Sequence, residues 1–138
     1  MIGLFLMQAS LGAIGRQALP PGGCAAFLWS RAEQPQLVAM VGAEPGTLRV
    51  RLGDKALTLP RTGAEGVAVR GLAATSRYAG EGVSATVALT AAERPDLADG
   101  ALVPEATLTV EQAGQDTIVA PLGGMIGCTP AAPVRRGK

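Results

Sequence analysis

Strict alternation of apolar and polar side chains across residues 47–59 is the feature that most constrains how this chain can fold. Every second residue from Leu48 to Leu52 is apolar, the residues between them are arginines, and alternation resumes after Gly53-Asp54. A period of two places successive side chains on opposite faces of a β-strand, so one face packs on a core and the other meets water. Gly53-Asp54 suits the positive φ of a two-residue hairpin turn. The stretch therefore predicts a β-hairpin whose inward-facing residues are Leu48, Val50, Leu52, Leu57 and Leu59.

Further short strands separated by turns follow along the chain. Nineteen glycines and ten prolines interrupt the sequence every few residues, which disfavours long helices. Strands are predicted at residues 24–29, 37–41, 67–72, 75–78, 83–90, 105–111 and 117–120, in addition to the two strands of the hairpin. Because turns rather than helical crossovers separate roughly seven to nine strands, we expect an all-β fold, either a small antiparallel barrel or a sandwich.

Three stretches qualify this strand pattern. Residues 37–41 are uniformly apolar, which is typical of a strand buried on both faces. Residues 61–66 are polar and rich in turn-forming residues, and Gly71 is expected to weaken the strand at 67–72 or to mark a bulge. Residues 91–100 form the longest polar connection, with room for one helical turn.

Length and composition indicate a single domain. A chain of 138 residues with 48% hydrophobic residues has enough apolar material for one core, and aromatics at 3% make that core aliphatic. The β domain is expected to span residues 24–130, with a flexible tail at residues 131–138. No apolar run after the first residues approaches about 20 residues, so no transmembrane helix is expected.

The first 23 residues are predicted to lie outside the domain. Residues 1–15 carry no charge and combine an apolar run with small residues such as Ser10 and Gly12, which is typical of a secretory signal peptide. A basic start is missing, and a first core strand or short buried helix is the alternative interpretation. Residues 16–23 contain paired prolines and glycines and are expected to be a linker. The prediction is export to the periplasm or the medium.

The two cysteines bracket the predicted domain. Cys24 opens the first strand and Cys128 ends the last, so a bridge would close a loop of about a hundred residues. This disulfide agrees with an oxidising compartment. Two separate buried thiols in a cytosolic protein are one alternative, and lipid attachment at Cys24 after Gly22-Gly23 is another, ranked below the disulfide.

Composition excludes several kinds of chemistry. The chain has no histidine, so the commonest general base and metal ligand are missing, and no metal site is expected. Glu93, Asp96 and Asp99 cluster in the polar connection. A solvated loop is a simpler interpretation of this cluster than a pair of carboxylates for acid–base chemistry on a sugar. Residues 80–85 match a dinucleotide fingerprint but open a strand instead of a helix. Twelve basic against eleven acidic residues give no basic surface for nucleic acid. We therefore expect neither an enzyme nor a cofactor.

Residues 73–80 read Ala-Ala-Thr-Ser-Arg-Tyr-Ala-Gly, and the chain closes its last strand with Ile126-Gly127-Cys128. Together with Cys24 and the hairpin, this order of features resembles the bacterial periplasmic and membrane-bound inhibitors of c-type lysozyme. The resemblance implies an exported β-barrel that binds a hydrolase. Ala74 stands where the family places the serine of its inhibitory loop, and residues 83–89 lack the family's lysine.

The resemblance leaves Ser76, Arg77 and Tyr78 as candidate binding residues, with Arg49 and Arg51 added from the polar face of the hairpin. In the alternative interpretation, Ser76 faces solvent while Tyr78 packs. The predicted function is a binding or inhibitory module acting on another protein, such as lysozyme or another cell-wall hydrolase. The alternative function is a structural or assembly protein of the envelope that uses a sheet face or edge as its interface.

Overall fold

The computed structural model describes residues 10–18, 23–94, 96 and 100–129. Within these residues, eight antiparallel strands form one closed barrel, in which each strand pairs with the next and β1 pairs with β8. The strands are β1 (Cys24–Ser30), β2 (Leu37–Gly42), β3 (Thr47–Leu52), β4 (Lys55–Val69), β5 (Leu72–Gly80), β6 (Val83–Glu93), β7 (Gly100–Gln112) and β8 (Ile118–Cys128). The all-β prediction is confirmed, and the architecture is the barrel.

The β3–β4 hairpin has the predicted turn and the predicted faces. Leu52 pairs with Lys55 across a two-residue turn, and Gly53 has a φ of 62°. This positive φ is accessible to glycine because it has no Cβ. The predicted inward set is buried in the barrel core, and its members are Leu48, Val50, Leu52, Leu57 and Leu59.

Strand β2 is buried on both faces over most of its length, as its uniform apolar sequence predicts. Burial runs from Val38 to Gly42 without alternation. The pairing with β1 shifts register between Leu28 and Trp29, and Val38 and Ala39 both join the core cluster. A bulge of this kind lets two consecutive side chains face the same side of the sheet.

Residues 61–66, which are polar and rich in turn-forming residues, continue β4, so the prediction of a separate strand at residues 67–72 is wrong. The ladder between β4 and β5 shifts register between Arg61 and Gly63 and again between Glu65 and Ala68, so two irregularities carry the strand through the polar stretch. Each shift exchanges the faces of the strand, and Val67 is consequently 82% exposed. Gly71 lies neither in a strand nor at a bulge: it forms the β4–β5 turn with Arg70, where both residues have positive φ.

The connection predicted at residues 91–100 is shorter than its composition indicates. Strand β6 extends through Glu93 and β7 begins at Gly100. The predicted helical turn would fall between them, where residue 95 and residues 97–99 lie outside the described part of the chain.

A disulfide joins Cys24 at the start of β1 to Cys128 at the end of β8, as predicted. The two residues are also direct register partners, so the bridge fastens the two strands that close the barrel. Because the Cys24 sulfur is bonded, no thiol remains there for a lipid. Arg70 lies beside the bridge, 3.9 Å from the Cys128 sulfur, and pairs with both carboxylate oxygens of Glu93 at 3.2 Å. A disulfide is compatible with an extracytoplasmic location.

Residues 10–14, here called the N-terminal strap, contact the barrel beside the end of β3. Leu11 forms an isolated antiparallel bridge with Leu52 and packs against the core. These residues belong to the segment predicted as a signal peptide; residues 1–9, the prolines of the predicted linker and the predicted tail at 131–138 lie outside the described residues. No helix among the described residues is long and apolar enough to cross a membrane.

Candidate functional site

The residues predicted to bind on β5 do not share one face of that strand. Ser76 and Tyr78 point into the barrel, opposite the buried residues Val87 and Ala85, and are only 4% and 1% exposed. The prediction that Tyr78 packs is confirmed, and the prediction that Ser76 faces solvent is wrong. The reason is register: in β5, Ser76 and Tyr78 occupy the same inward face as Leu72. Neither side chain reaches the surface to contact a partner.

Burial raises the pKa of Tyr78 above its ordinary value of 10.0, because a charged phenolate would lose its hydration inside the barrel. The Ser76 hydroxyl and the charge of Arg61 lower the pKa by smaller amounts. The Ser76 hydroxyl is close enough to favour the phenolate, yet the Tyr78 hydroxyl makes no hydrogen bond of normal geometry among the described residues. Tyr78 is therefore a neutral packing residue at physiological pH.

Arg49 and Arg51 lie on the outer face of β3, as the alternation predicts. The Arg49 guanidinium donates to the side-chain oxygen of Gln17, and Arg51 donates to the carbonyl oxygen of Asp54 at 3.4 Å. Both arginines therefore already hold neighbouring parts of the same chain, near the N-terminal strap and the hairpin turn.

Arg77 lies on the outer face of β5 and forms an ion pair with Glu65 at 3.1 Å. Strand β4 separates it from Arg49, whose register partner on that strand is Thr58, whereas the partner of Arg77 is Gly63. At about 3.3 Å per residue, these two positions are on the order of 16 Å apart along the strand. The predicted binding residues therefore do not form one site.

A larger surface feature, which the sequence reasoning missed, lies on the outside of the strands that close the barrel. Phe27 of β1 pairs with Met40 of β2 and with Met125 of β8, and Met125 pairs with Leu102 of β7. These side chains face outward because their strand neighbours, such as Leu28 and Ile126, fill the core. Together with Trp29 they form the outer apolar strip, consisting of Met40, Phe27, Trp29, Met125 and Leu102.

Exposure along the strip varies. Met40 is buried, Phe27, Trp29 and Leu102 are half-buried, and Met125 is 40% exposed. The sequence of β1 gives no signal for which set faces outward, because Phe27 and Trp29 alternate with Ala26 and Leu28, which are equally apolar. The sequence signal for the outward face of β1 is the pair Gly123-Gly124 in β8, because glycines leave room for large side chains of the neighbouring strand.

Gly123 and Gly124 make room for the side chains at one end of the strip. A Cβ on Gly124 would lie 3.1 Å from Cε3 of Trp29 and would overlap the Phe27 carbonyl oxygen. A Cβ on Gly123 would lie 2.8 Å from Nη2 of Arg31. Glycine is needed at position 124, because the Phe27 backbone carbonyl leaves no room for a Cβ there, whereas at position 123 the flexible Arg31 side chain could move aside.

An open cleft of about 450 Å³ adjoins this end of the strip, and its walls include Trp29, Arg31, Pro35 and Pro104. The Arg31 guanidinium donates to the carbonyl oxygen of Pro104, another residue of the cleft wall. The site thus combines an aromatic ring, a guanidinium group and apolar surface. Aromatic, methionine and arginine side chains are enriched at protein interfaces, where they supply much of the binding energy.

The carboxylates predicted to lie in a solvated loop are held in local ion pairs. Glu93 is in strand β6 and pairs with Arg70, while Asp96 lies 3.4 Å from Nε of Arg94. Asp99 lies outside the described residues. Within the described ranges, no group of three or more histidine, cysteine, aspartate or glutamate side chains is arranged to hold a metal ion.

Comparison of this chain with protein-family models, with curated proteins and with solved structures finds no match. The candidate site therefore stands on the geometry of the outer apolar strip and its cleft alone.

Proposed function

We propose that this chain is an extracytoplasmic binding module that recognises another protein through the outer apolar strip and the adjoining cleft. The observation that carries the proposal is the partly exposed apolar surface that Trp29, Phe27 and Met125 share on one outer face, beside the guanidinium of Arg31. Burial of apolar surface contributes about 25 cal/mol per Å², so covering the part of these side chains that remains in water favours association.

The barrel interior supports a surface site in preference to an internal one. Apolar side chains from all eight strands pack together inside the barrel, and the largest of the fully buried ones is Tyr78. An eight-stranded barrel is narrow enough for side chains to fill it. Binding is therefore assigned to the outer face of β1, β2, β7 and β8.

The proposed location is the periplasm or the extracellular medium. The disulfide between Cys24 and Cys128 supports an oxidising compartment. The uncharged segment at residues 1–15 supports export. Mass spectrometry of the protein from fractionated cells tests this, since a cytosolic protein that retains Met1 would contradict it.

The proposed partner is a cell-wall hydrolase of the c-type lysozyme class, which is the class that the resemblance implies. Ser76 and Tyr78 do not supply the contacts, because both are buried. The contacts are instead assigned to the strip, where Trp29 and Met125 would enter the hydrolase interface and Arg31 would lie at its rim. The proposal thus transfers the binding role away from β5.

The test compares Met125→Glu with Val119→Glu. Both residues lie on the outer face of β8 and are exposed, Val119 at 63%, but only Met125 belongs to the strip. Calorimetry with purified c-type lysozyme should show binding by the wild type and by Val119→Glu. Because a charge in a desolvated interface is costly, Met125→Glu should bind at least about tenfold more weakly.

Equal binding by the two variants, or no binding by the wild type, would contradict the proposed site or partner. The alternative function, a structural or assembly protein of the envelope, is supported by the same apolar face. Assembly through a sheet edge is not supported, because each of the eight described strands is paired with a neighbour on both sides. Stoichiometric recovery in a large envelope complex, without lysozyme binding, would favour this alternative.

A further inference from the structure

The ladder between β2 and β3 is shorter than the strands that form it. It ends at the pair between Ala39 and Val50, although β2 begins at Leu37 and β3 continues to Leu52. On its other side, β3 remains paired with β4 as far as Leu52. The two strands therefore separate at this end of the barrel, leaving a seam in which β3 lacks a β2 partner.

The N-terminal strap fills this seam as a short additional strand. The Gly12 amide donates to the Arg51 carbonyl oxygen at 2.9 Å, and the Gly53 amide donates to the Ser10 carbonyl oxygen at 2.8 Å. These two bonds flank the antiparallel bridge between Leu11 and Leu52. Main-chain pairing of this kind is how an extended peptide adds to a sheet.

The strap also reaches the other wall of the seam. The Ile14 amide donates to the Leu37 carbonyl oxygen of β2 at 2.9 Å. The strap thus connects the two strands that have moved apart, and it satisfies backbone groups of both.

Leu11 is the side chain that anchors the strap. It packs against the core and lines a cavity of about 380 Å³ together with Val38, Ile118 and Leu122. Ser10, which precedes Leu11, and Ala13, two residues after it, are exposed. Leu11 thus packs against the core at the edge of this cavity, with main-chain hydrogen bonds on either side of it. Binding of this kind recognises an extended backbone and one apolar side chain.

We propose that the β2–β3 seam is a docking site for an extended peptide segment with a leucine-sized side chain, and that residues 10–14 occupy it in cis. The strap is bound weakly. The contacts of Leu11 and a few backbone hydrogen bonds must offset the conformational entropy that several residues lose when they become ordered. A segment supplied in trans with the same features competes for the seam. None of the five residues of the outer apolar strip lines the Leu11 cavity, although Arg31 lines both this cavity and the cleft beside the strip. The pairing of the strap does not require lysozyme binding.

The seam would also respond to processing of the N-terminus. Ser10-Leu11-Gly12 is the small-residue pattern at which the predicted signal peptide would be cleaved. Cleavage after Gly12 removes Leu11 and the two bonds to Arg51 and Gly53, and it leaves the bond from Ile14 to Leu37. The β3 side of the seam then becomes open to an extended segment with a leucine-sized side chain supplied in trans.

The test measures hydrogen exchange at the Gly53 amide by NMR in the full-length chain. Gly53 lies in a hairpin turn, so its protection depends on the Ser10 carbonyl oxygen. Leu11→Asp should release the strap and speed Gly53 exchange by at least about tenfold. Ala13→Asp, a matched change at an exposed strap position, should leave the exchange unchanged. Slow exchange in the β3–β4 ladder shows that each variant remains folded.

A peptide with the sequence of residues 8–17 is then added to the Leu11→Asp chain. It should restore Gly53 protection in a saturable manner, and the same peptide carrying Leu11→Asp should not. Should Leu11→Asp unfold the barrel, Gly12→Pro serves instead, because it removes the amide that bonds Arg51 and disfavours the paired conformation of the strap without placing a charge against the core. Protection of Gly53 that survives strap release, or a peptide that fails to restore it, overturns the proposal. Neither result involves lysozyme, so the proposed function is judged separately.

Discussion

Tyr78 illustrates how one polar group is tolerated in an aliphatic barrel core. Its ring is among the largest fully buried side chains, yet its hydroxyl has no hydrogen-bond partner among the described residues. A buried polar group without a partner costs about 1–3 kcal/mol of stability. The ring stabilises the barrel through packing, and the hydroxyl opposes it.

Replacing Tyr78 with phenylalanine should therefore leave the free energy of unfolding unchanged or raise it, by up to about 1–3 kcal/mol. The substitution keeps the ring and removes only the unpartnered oxygen. Urea unfolding followed by circular dichroism measures the difference. Tyr78→Ala is the control, and the loss of the ring should cost about 3–5 kcal/mol. A clear loss of stability in Tyr78→Phe would mean that the hydroxyl has a partner after all.

Tyr78 also predicts a pH dependence at the alkaline end. Because burial raises its pKa above 10.0, the unfolded chain loses the phenolic proton before the folded chain does. The contribution of Tyr78 to stability is thus constant below pH 10 and falls as the pH rises toward the folded pKa.

The chain contains a single tyrosine, so phenolate absorbance reports Tyr78 alone. The absorbance midpoint of the folded protein should lie above 10.0, the ordinary value. Arg61→Gln should move it higher, because the positive charge of Arg61 favours the phenolate. A midpoint at or below the ordinary value would contradict the burial of Tyr78.

At the level of elements, the strands with one-sided alternation were predictable and the irregular ones were not. In the hairpin at residues 47–59, the two-residue turn and the alternation of apolar residues are together compatible with only one register of strand pairing. Strand β4 continues through residues 61–66 because its ladder with β5 absorbs two register shifts, and no local pattern encodes where a partner strand continues. The outer apolar strip was hidden for a related reason, since both faces of β1 are apolar and only the closure against β8 decides which one is outside.

The hairpin register can be tested by exchanging charges between its faces. Val50 is fully buried in the core, so Val50→Asp places an unpaired charge there and should cost several kcal/mol. Arg49→Ser and Arg51→Ser affect the outer face and should each change stability by no more than about 0.5 kcal/mol. Thermal melts of the three variants give the comparison. A wild-type melt for Val50→Asp with a collapse of Arg51→Ser would mean that the faces are exchanged.

The barrel is closed by β1 and β8, the first and last strands in the sequence of the domain. β1 and β8 pair along their length, and the disulfide joins residues with a sequence separation of 104. The positions of the cysteines allowed the disulfide to be predicted, because terminal strands of a barrel commonly become neighbours. They left undetermined whether the sheet closes into a barrel and which face of the closing strands lies outside.

The last prediction concerns this bridge. A cross-link across about a hundred residues restricts the unfolded chain, and chain entropy alone assigns it about 4.7 kcal/mol. The double variant Cys24→Ser, Cys128→Ser should therefore still fold through the β1–β8 ladder but unfold at a lower urea concentration than the oxidised wild type. Reductant should shift the wild-type midpoint to that of the variant and leave the variant unaffected. If the two proteins unfold at the same midpoint without reductant, the bridge does not stabilise the barrel, and the ladder between the terminal strands holds it closed alone.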